Sequence, residues 1–134
     1  MSPLFKKLNL GAHRRIHVLD APASFEPELA ALAGVTVLRN AQAPVVFALA
    51  FVTTLQAVHD AVQALAPVAQ GDALLWMVYP KASSKRLRCE FNRDTGWQAL
   101  ADAGYDTVRQ VAVDEDWSAL RFRKTAFIPG RGPA

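Results

Sequence analysis

The chain has 134 residues, 51% of them hydrophobic and 20% charged, and its 15 basic and 12 acidic side chains leave a net charge of +3. That length fits one domain burying roughly two-thirds of its unfolded surface, and the composition excludes a disordered chain. A lone cysteine, Cys89, excludes an intrachain disulfide, and the longest apolar run, 43–52, is too short to cross a bilayer. Residues 1–10 carry neither the apolar stretch nor the cleavage site of a signal peptide, so a cytoplasmic protein is expected. The expected layout is an N-terminal segment over 1–10, one domain over 11–126, and a flexible Gly- and Pro-rich tail over 127–134.

Arg15 to Leu19 reads as a short strand, followed by a turn through Ala21-Pro22-Ala23-Ser24. Ser24 suits a helix N-cap, with Glu26, Pro27 and Glu28 in the first turn and Gly34 past the end. Val35 to Leu38 is a second strand and 39–44 a loop. The apolar run Pro44 to Val52 fits a central strand buried on both faces. Thr53 or Thr54 caps a helix whose Leu55, Val58, Val62 and Leu65 form one stripe. Pro67 to Asp72 breaks it before another buried strand, Ala73 to Tyr79. After a basic loop, Pro80 to Arg93, Asp94 or Thr95 caps a helix with Trp97, Leu100 and Ala101 that Gly104 closes. Tyr105 to Val113 and Trp117 to Lys124 are two strands that an acidic turn makes antiparallel.

This alternation predicts an α/β domain: an open, mainly parallel Rossmann-like sheet with an antiparallel C-terminal hairpin strand and helices on both faces. Leu65-Ala66-Pro67, Gly71 and Ala73-Leu74-Leu75-Trp76 resemble the approach to the fifth strand of class I S-adenosylmethionine methyltransferases. The 100–105 segment with the last two strands resembles that fold's closing helix and hairpin, and 16–20 its first strand. Tyr79-Pro80-Lys81, Asn92-Arg93-Asp94 before Trp97, and Asp116-Trp117-Ser118-Ala119-Leu120-Arg121 resemble a group of short bacterial proteins that carry no established activity. The resemblance spans about residues 10 to 124. It implies a methyltransferase-like core in which the cofactor-binding parts have degenerated. Where such enzymes place a glycine-rich turn, this chain has Asp20-Ala21-Pro22-Ala23-Ser24-Phe25, and where the second strand should end in an acid it has Arg39-Asn40. No cofactor is therefore expected, S-adenosylmethionine included.

Ligands of open α/β sheets lie beyond the carboxyl ends of the strands, where the basic loop falls. Lys81, Lys85, Arg86, Arg88 and Arg93, with Ser83, Ser84 and Asn92, are its candidate ligand residues, joined by Ser24 and Trp117. Guanidinium groups there suit an anionic ligand, a nucleic-acid backbone or an acidic protein. An ordinary solvated loop is the commoner meaning of such a run. Trp76 and Trp97 read as core aromatics, and Trp117 as more open. Cys89 sits among cations that favour its thiolate, but no histidine lies near it in sequence, so an inert thiol is expected. His13, His17 and His59 have no metal-ligand spacing, Asp114-Glu115-Asp116 reads as a polar turn, and Ser118 carries no nucleophile signature. No catalytic or metal residues are assigned. The leading expectation is a non-catalytic domain that binds an anionic partner through 81–93. One rival is a small-molecule enzyme with an unconventional S-adenosylmethionine or nucleotide pocket between the first and third strands, using Ser24, Asn92, Asp94 and the basic residues. The other is an interaction module that docks through a sheet edge or the Trp117 hairpin.

Overall fold

The computed structural model describes residues 3–130, and the last residues of the expected flexible tail, 131–134, lie outside that range. Six strands form one sheet: β1 (Arg15–Leu19), β2 (Thr36–Leu38), β3 (Val45–Phe51), β4 (Ala69–Pro80), β5 (Tyr105–Ala112) and β6 (Trp117–Lys124). Their order across the sheet is β2-β1-β3-β4-β6-β5. β2, β1, β3 and β4 pair in parallel, and β6 runs antiparallel to both β4 and β5. The anticipated α/β architecture is the observed one. The reversed strand, β6, lies second from the edge, and β5 forms the edge itself.

Side-chain alternation divides the core. Ile16, Val18, Phe47, Leu49, Phe51, Trp76 and Val78 face one side, under α1 (Pro3–Lys7) and α2 (Glu26–Ala30). Ala48, Ala50, Leu75, Met77 and Tyr79 face the other, under α3 (Leu55–Leu65) and α4 (Gln98–Asp102). Leu4, Phe5, Leu8 and Leu10 are all buried, and the buried Trp76 indole N–H donates to the Leu8 carbonyl at 3.1 Å. The segment before β1 is thereby part of the core.

Local signals placed most elements correctly, with instructive exceptions. Thr54 caps α3, its hydroxyl accepting from the Ala57 N–H at 3.0 Å, yet Leu55 of the apolar stripe is 51% exposed. Ser24 caps nothing: it lies inside a 3-10 turn, Ala23–Phe25, that precedes α2. β4 starts at Ala69 because Gly71, at φ +59°, lets the chain bulge between the Ala69 and Leu74 pairings. The step from β2 to β3 needs no helix. Leu38 and Ala48 both lie opposite His17, so β3 begins only roughly 10 Å back along the sheet, and the loop 39–44 covers that distance.

His17 is fully buried where this crossover passes β1. Burial first, and then the Arg15 charge, push its imidazole below the ordinary value. The Gln42 main chain opposes that shift, although neither ring nitrogen completes a hydrogen bond of good geometry among the described residues. Because the folded value lies below the unfolded one, the neutral ring's contribution is complete above about pH 6.5 and is lost as pH falls below it. The urea midpoint should therefore drop between pH 7.5 and pH 5.5. His17→Leu should flatten that drop, and an unchanged slope in the variant would rule His17 out as its source.

Candidate anion-binding cleft

The loop that follows β4 is fastened at several points. Its Lys81 N–H donates to the Asp116 carbonyl at 2.8 Å, and the Ser84 hydroxyl donates to the Asp116 carboxylate at 2.9 Å. Arg86 reaches both Glu115 and Asp116 at 2.6 Å. The Arg86–Glu115 contact is highly exposed and contributes little, while Asp116 is mostly covered and holds its partners more firmly. Further along, the Glu90 N–H donates to the Thr53 carbonyl at 3.0 Å, and the Glu90 carboxylate accepts from the Leu55 N–H at 2.8 Å. That carboxylate satisfies a free donor in the first turn of α3.

The last part of the loop is built around Trp97. Its ring lies 4.8 Å from Phe91, 5.4 Å from Tyr79 and 5.3 Å from Phe122. Its indole N–H is shared between the Asn92 and Arg93 carbonyls at 3.1 and 2.9 Å. The Asn92 side-chain oxygen accepts from the Asp94 N–H at 2.8 Å and the Thr95 hydroxyl at 3.3 Å, closing an Asx turn. This turn occupies the place where Asp94 or Thr95 was expected to cap a helix. α4 starts only after Trp97, which makes no side-chain cap bond.

Between this turn and β5 lies a cleft of about 560 Å³, lined by Tyr79, Lys81, Ser83, Asn92, Arg93, Asp94, Gln110 and Ser118. Its floor is polar and ordered: the Gln110 amide donates to the Tyr79 and Ser118 hydroxyls, each at 3.0 Å. Tyr79 and Ser118 are only 3% and 4% exposed. Burial, chiefly, pushes the Tyr79 phenol up, so it stays protonated at neutral pH. The only described ion pair on this rim is a loose Arg93–Asp94 contact at 3.6 Å, and the described residues hold no ion pair of Lys81.

The structure thus brings Lys81, Ser83, Asn92 and Arg93 together. Ser24, Arg86 and Trp117 instead border a smaller cavity of about 300 Å³ with Asp114, Glu115 and Asp116. Ser84 and Lys85 line a groove with Arg86, Glu115 and Asp116, and Arg88 is exposed on the loop. Trp117 is not open: it is 7% exposed, its ring edge-on to Phe51 at 5.3 Å. Tyr79, Gln110 and Ser118 were not recognised from sequence. One signal was present, since Ser118 is the polar residue on the face that β6 otherwise gives to Leu120 and Phe122.

No group of three metal-ligating side chains comes together among the described residues. Burial, ahead of any charge, pushes the Cys89 thiol up; a hydrogen bond with the Phe91 main chain opposes the shift, and the Glu90 carboxylate adds to it. Folded protein at pH 7.5 should accordingly react with a thiol reagent several-fold more slowly than urea-unfolded protein. Equal rates would show a free, activated thiolate.

At the point where strand order reverses, beyond β1 and β3, three rings pack together. Phe25 lies 4.9 Å from Phe51, and Phe51 lies 5.3 Å from Trp117. Asp20 makes the left-handed turn out of β1, at φ +58°. Just past β2, Arg39 is held bidentate by Glu26 at 2.7 and 2.8 Å.

No family model matches the chain, and no curated protein matches it in sequence. Solved structures do match its fold. A SAM-dependent methyltransferase from Aquifex aeolicus superposes with a TM-score of 0.60 at 15% identity, over 90% of this chain and 87% of that one. The pyocyanin biosynthetic protein PhzM gives 0.56 at 11% identity over 90% of this chain, which spans 54% of PhzM. Ribosomal protein L11 methylase from Lactobacillus delbrueckii subsp. bulgaricus gives 0.51 at 13% identity, over 90% of this chain and 64% of that one. The chain therefore has the class I methyltransferase fold. At these identities the likeness is one of fold alone.

Proposed function

We propose that this chain is a non-catalytic, methyltransferase-fold binding domain that holds an anionic ligand in the cleft beyond β4. The observation that carries this reading is the convergence of Lys81 and Arg93 on one cleft over an ordered polar floor, while Arg86 is already matched by Glu115 and Asp116. A preorganised turn supports Arg93, which lowers the ordering cost of binding. Tyr79, Lys81 and Asn92 to Asp94, from segments that resemble those of the short bacterial proteins, line this cleft. S-adenosylmethionine has no part in this reading, because the Phe25, Phe51 and Trp117 rings pack at the switch point and Arg39 is tied to Glu26. Cys89 as a protonated thiol and Ser118 bonded to Gln110 leave neither side chain set up as a nucleophile.

Anisotropy of a fluorescent ATP analogue should show saturable binding that weakens as salt rises. Lys81→Ala or Arg93→Ala should each cost about 1.5–3 kcal/mol, roughly tenfold to a hundredfold in affinity. Binding that ignores salt and both substitutions would sink the proposal. Thermal stabilisation by S-adenosylmethionine would instead favour an enzyme with an unconventional pocket. A stable protein partner in pull-downs, with no response to small anions, would favour the interaction module.

A further inference from the structure

We infer that the ligand is a small phosphate monoester with a hydroxyl-rich head group, of sugar-phosphate or mononucleotide size, and not a nucleic-acid strand or an acidic protein. This rests on the cleft reading above and narrows it. The size of the cleft suits such a ligand. A cleft of about 560 Å³ falls within the roughly 300–1,000 Å³ usual for small-molecule sites.

The distribution of charge disfavours a polyanion. A polyanion tracks a continuous row of cations. The basic run looks continuous in sequence and is interrupted in space. Arg86 is taken up by Glu115 and Asp116, Lys85 shares a groove with those acids, and Asp94 stands on the rim of the cleft. An extended strand leaving the cleft on the hairpin side would meet carboxylates. What remains inside is Lys81 with Arg93, whose contact with the exposed Asp94 carboxylate is loose at 3.6 Å, and these two cations suit a phosphate monoester of about −1.5 to −2.

The floor of the cleft suits a neutral, hydroxyl-bearing group. Both amide hydrogens of Gln110 are engaged by Tyr79 and Ser118, which leaves its amide oxygen to accept from a ligand hydroxyl. The Asn92 oxygen is committed to its own turn, so what Asn92 has to offer is its NH₂ group. Fixed neutral donors and acceptors next to two cations fit a ligand with one charged end and one polar, uncharged end.

Calorimetry on the full chain would compare ribose 5-phosphate, AMP, inorganic phosphate, adenosine and a single-stranded oligonucleotide, at low and high salt. Ribose 5-phosphate or AMP should bind one to one, roughly tenfold or more tighter than inorganic phosphate or adenosine. Lys81→Ala and Arg93→Ala should bring the monoester down to the level of its unphosphorylated form. Gln110→Ala, at an exposed position where folding is checked by circular dichroism, should weaken the monoester and leave inorganic phosphate unchanged. Equal binding of inorganic phosphate and monoester would overturn the head-group claim. Tighter binding of the oligonucleotide, lost in Lys81→Ala and Arg93→Ala, would overturn this inference and leave the anion-cleft reading standing. If none of the phosphates binds, both fall.

Discussion

Phe51→Ala should destabilise the domain by about 3–5 kcal/mol, read as a large fall in the urea midpoint at pH 7.5. Phe51 is the middle ring of the Phe25, Phe51 and Trp117 set, and it is only 5% exposed at the end of an inner strand. Truncation removes the transfer free energy of a whole ring and leaves a hole between two rings held by separate elements. Phe25 is fixed by the 3-10 turn and Trp117 by the β4–β6 ladder, so neither can collapse freely into the space. Set against a total stability of about 5–15 kcal/mol, the loss is a large share. A change below about 1 kcal/mol would mean that the rings do not form a packed plug at the switch point. The non-catalytic reading would then lose one of its supports.

Gly96→Ala should cost about 2–4 kcal/mol and weaken ligand binding in parallel. Two effects combine. Gly96 has φ +93°, a conformation that L side chains rarely adopt. An added Cβ would also lie 2.5 Å from Phe91 Cβ and 2.8 Å from its Cγ. Those atoms are the root of the Phe91 side chain, so no rotamer change relieves the clash, and the backbone of the 91–97 turn must shift. Phe91 and Trp97 would separate, and with them the carbonyls and the Arg93 position that the indole N–H holds. Gly104→Ala is the matched control. It shares the left-handed backbone, at φ +88°, but has open space around the new atom, so only the conformational cost of about 1–2 kcal/mol applies. Equal losses at the two positions would remove the steric part of the argument.

The two substitutions separate the fold from its cleft. Phe51 belongs to the core on the α1 and α2 side, whereas Gly96 supports the wall of the cleft on the opposite face. Phe51→Ala should lower stability and leave ligand affinity nearly unchanged at temperatures where the domain is folded. Gly96→Ala should lower both.

Much of the architecture was legible in the residues because the signals involved are local. Continuous apolar runs marked β3 and β4, the Thr53-Thr54 pair marked the start of α3, and the few residues between β5 and β6 forced a hairpin. The position of the basic loop at the carboxyl end of an inner strand followed from its place directly after a continuous apolar run. Gly71 disguised the true start of β4, since a glycine and an acid in sequence look like a turn while in space they form a bulge.

Which groups stand available for chemistry was decided by tertiary structure. Arg86 looks like one cation among several, and only the register of β4 against β6 brings Glu115 and Asp116, 29 and 30 residues away, onto it. The same register buries Trp117 and joins Tyr79, Gln110 and Ser118 from three strands into one floor. Hydrophobic periodicity says which face a residue occupies but not which distant side chain shares it. Charge neutralisation and cleft formation depend on that partner, so they were settled only once the strands were laid side by side.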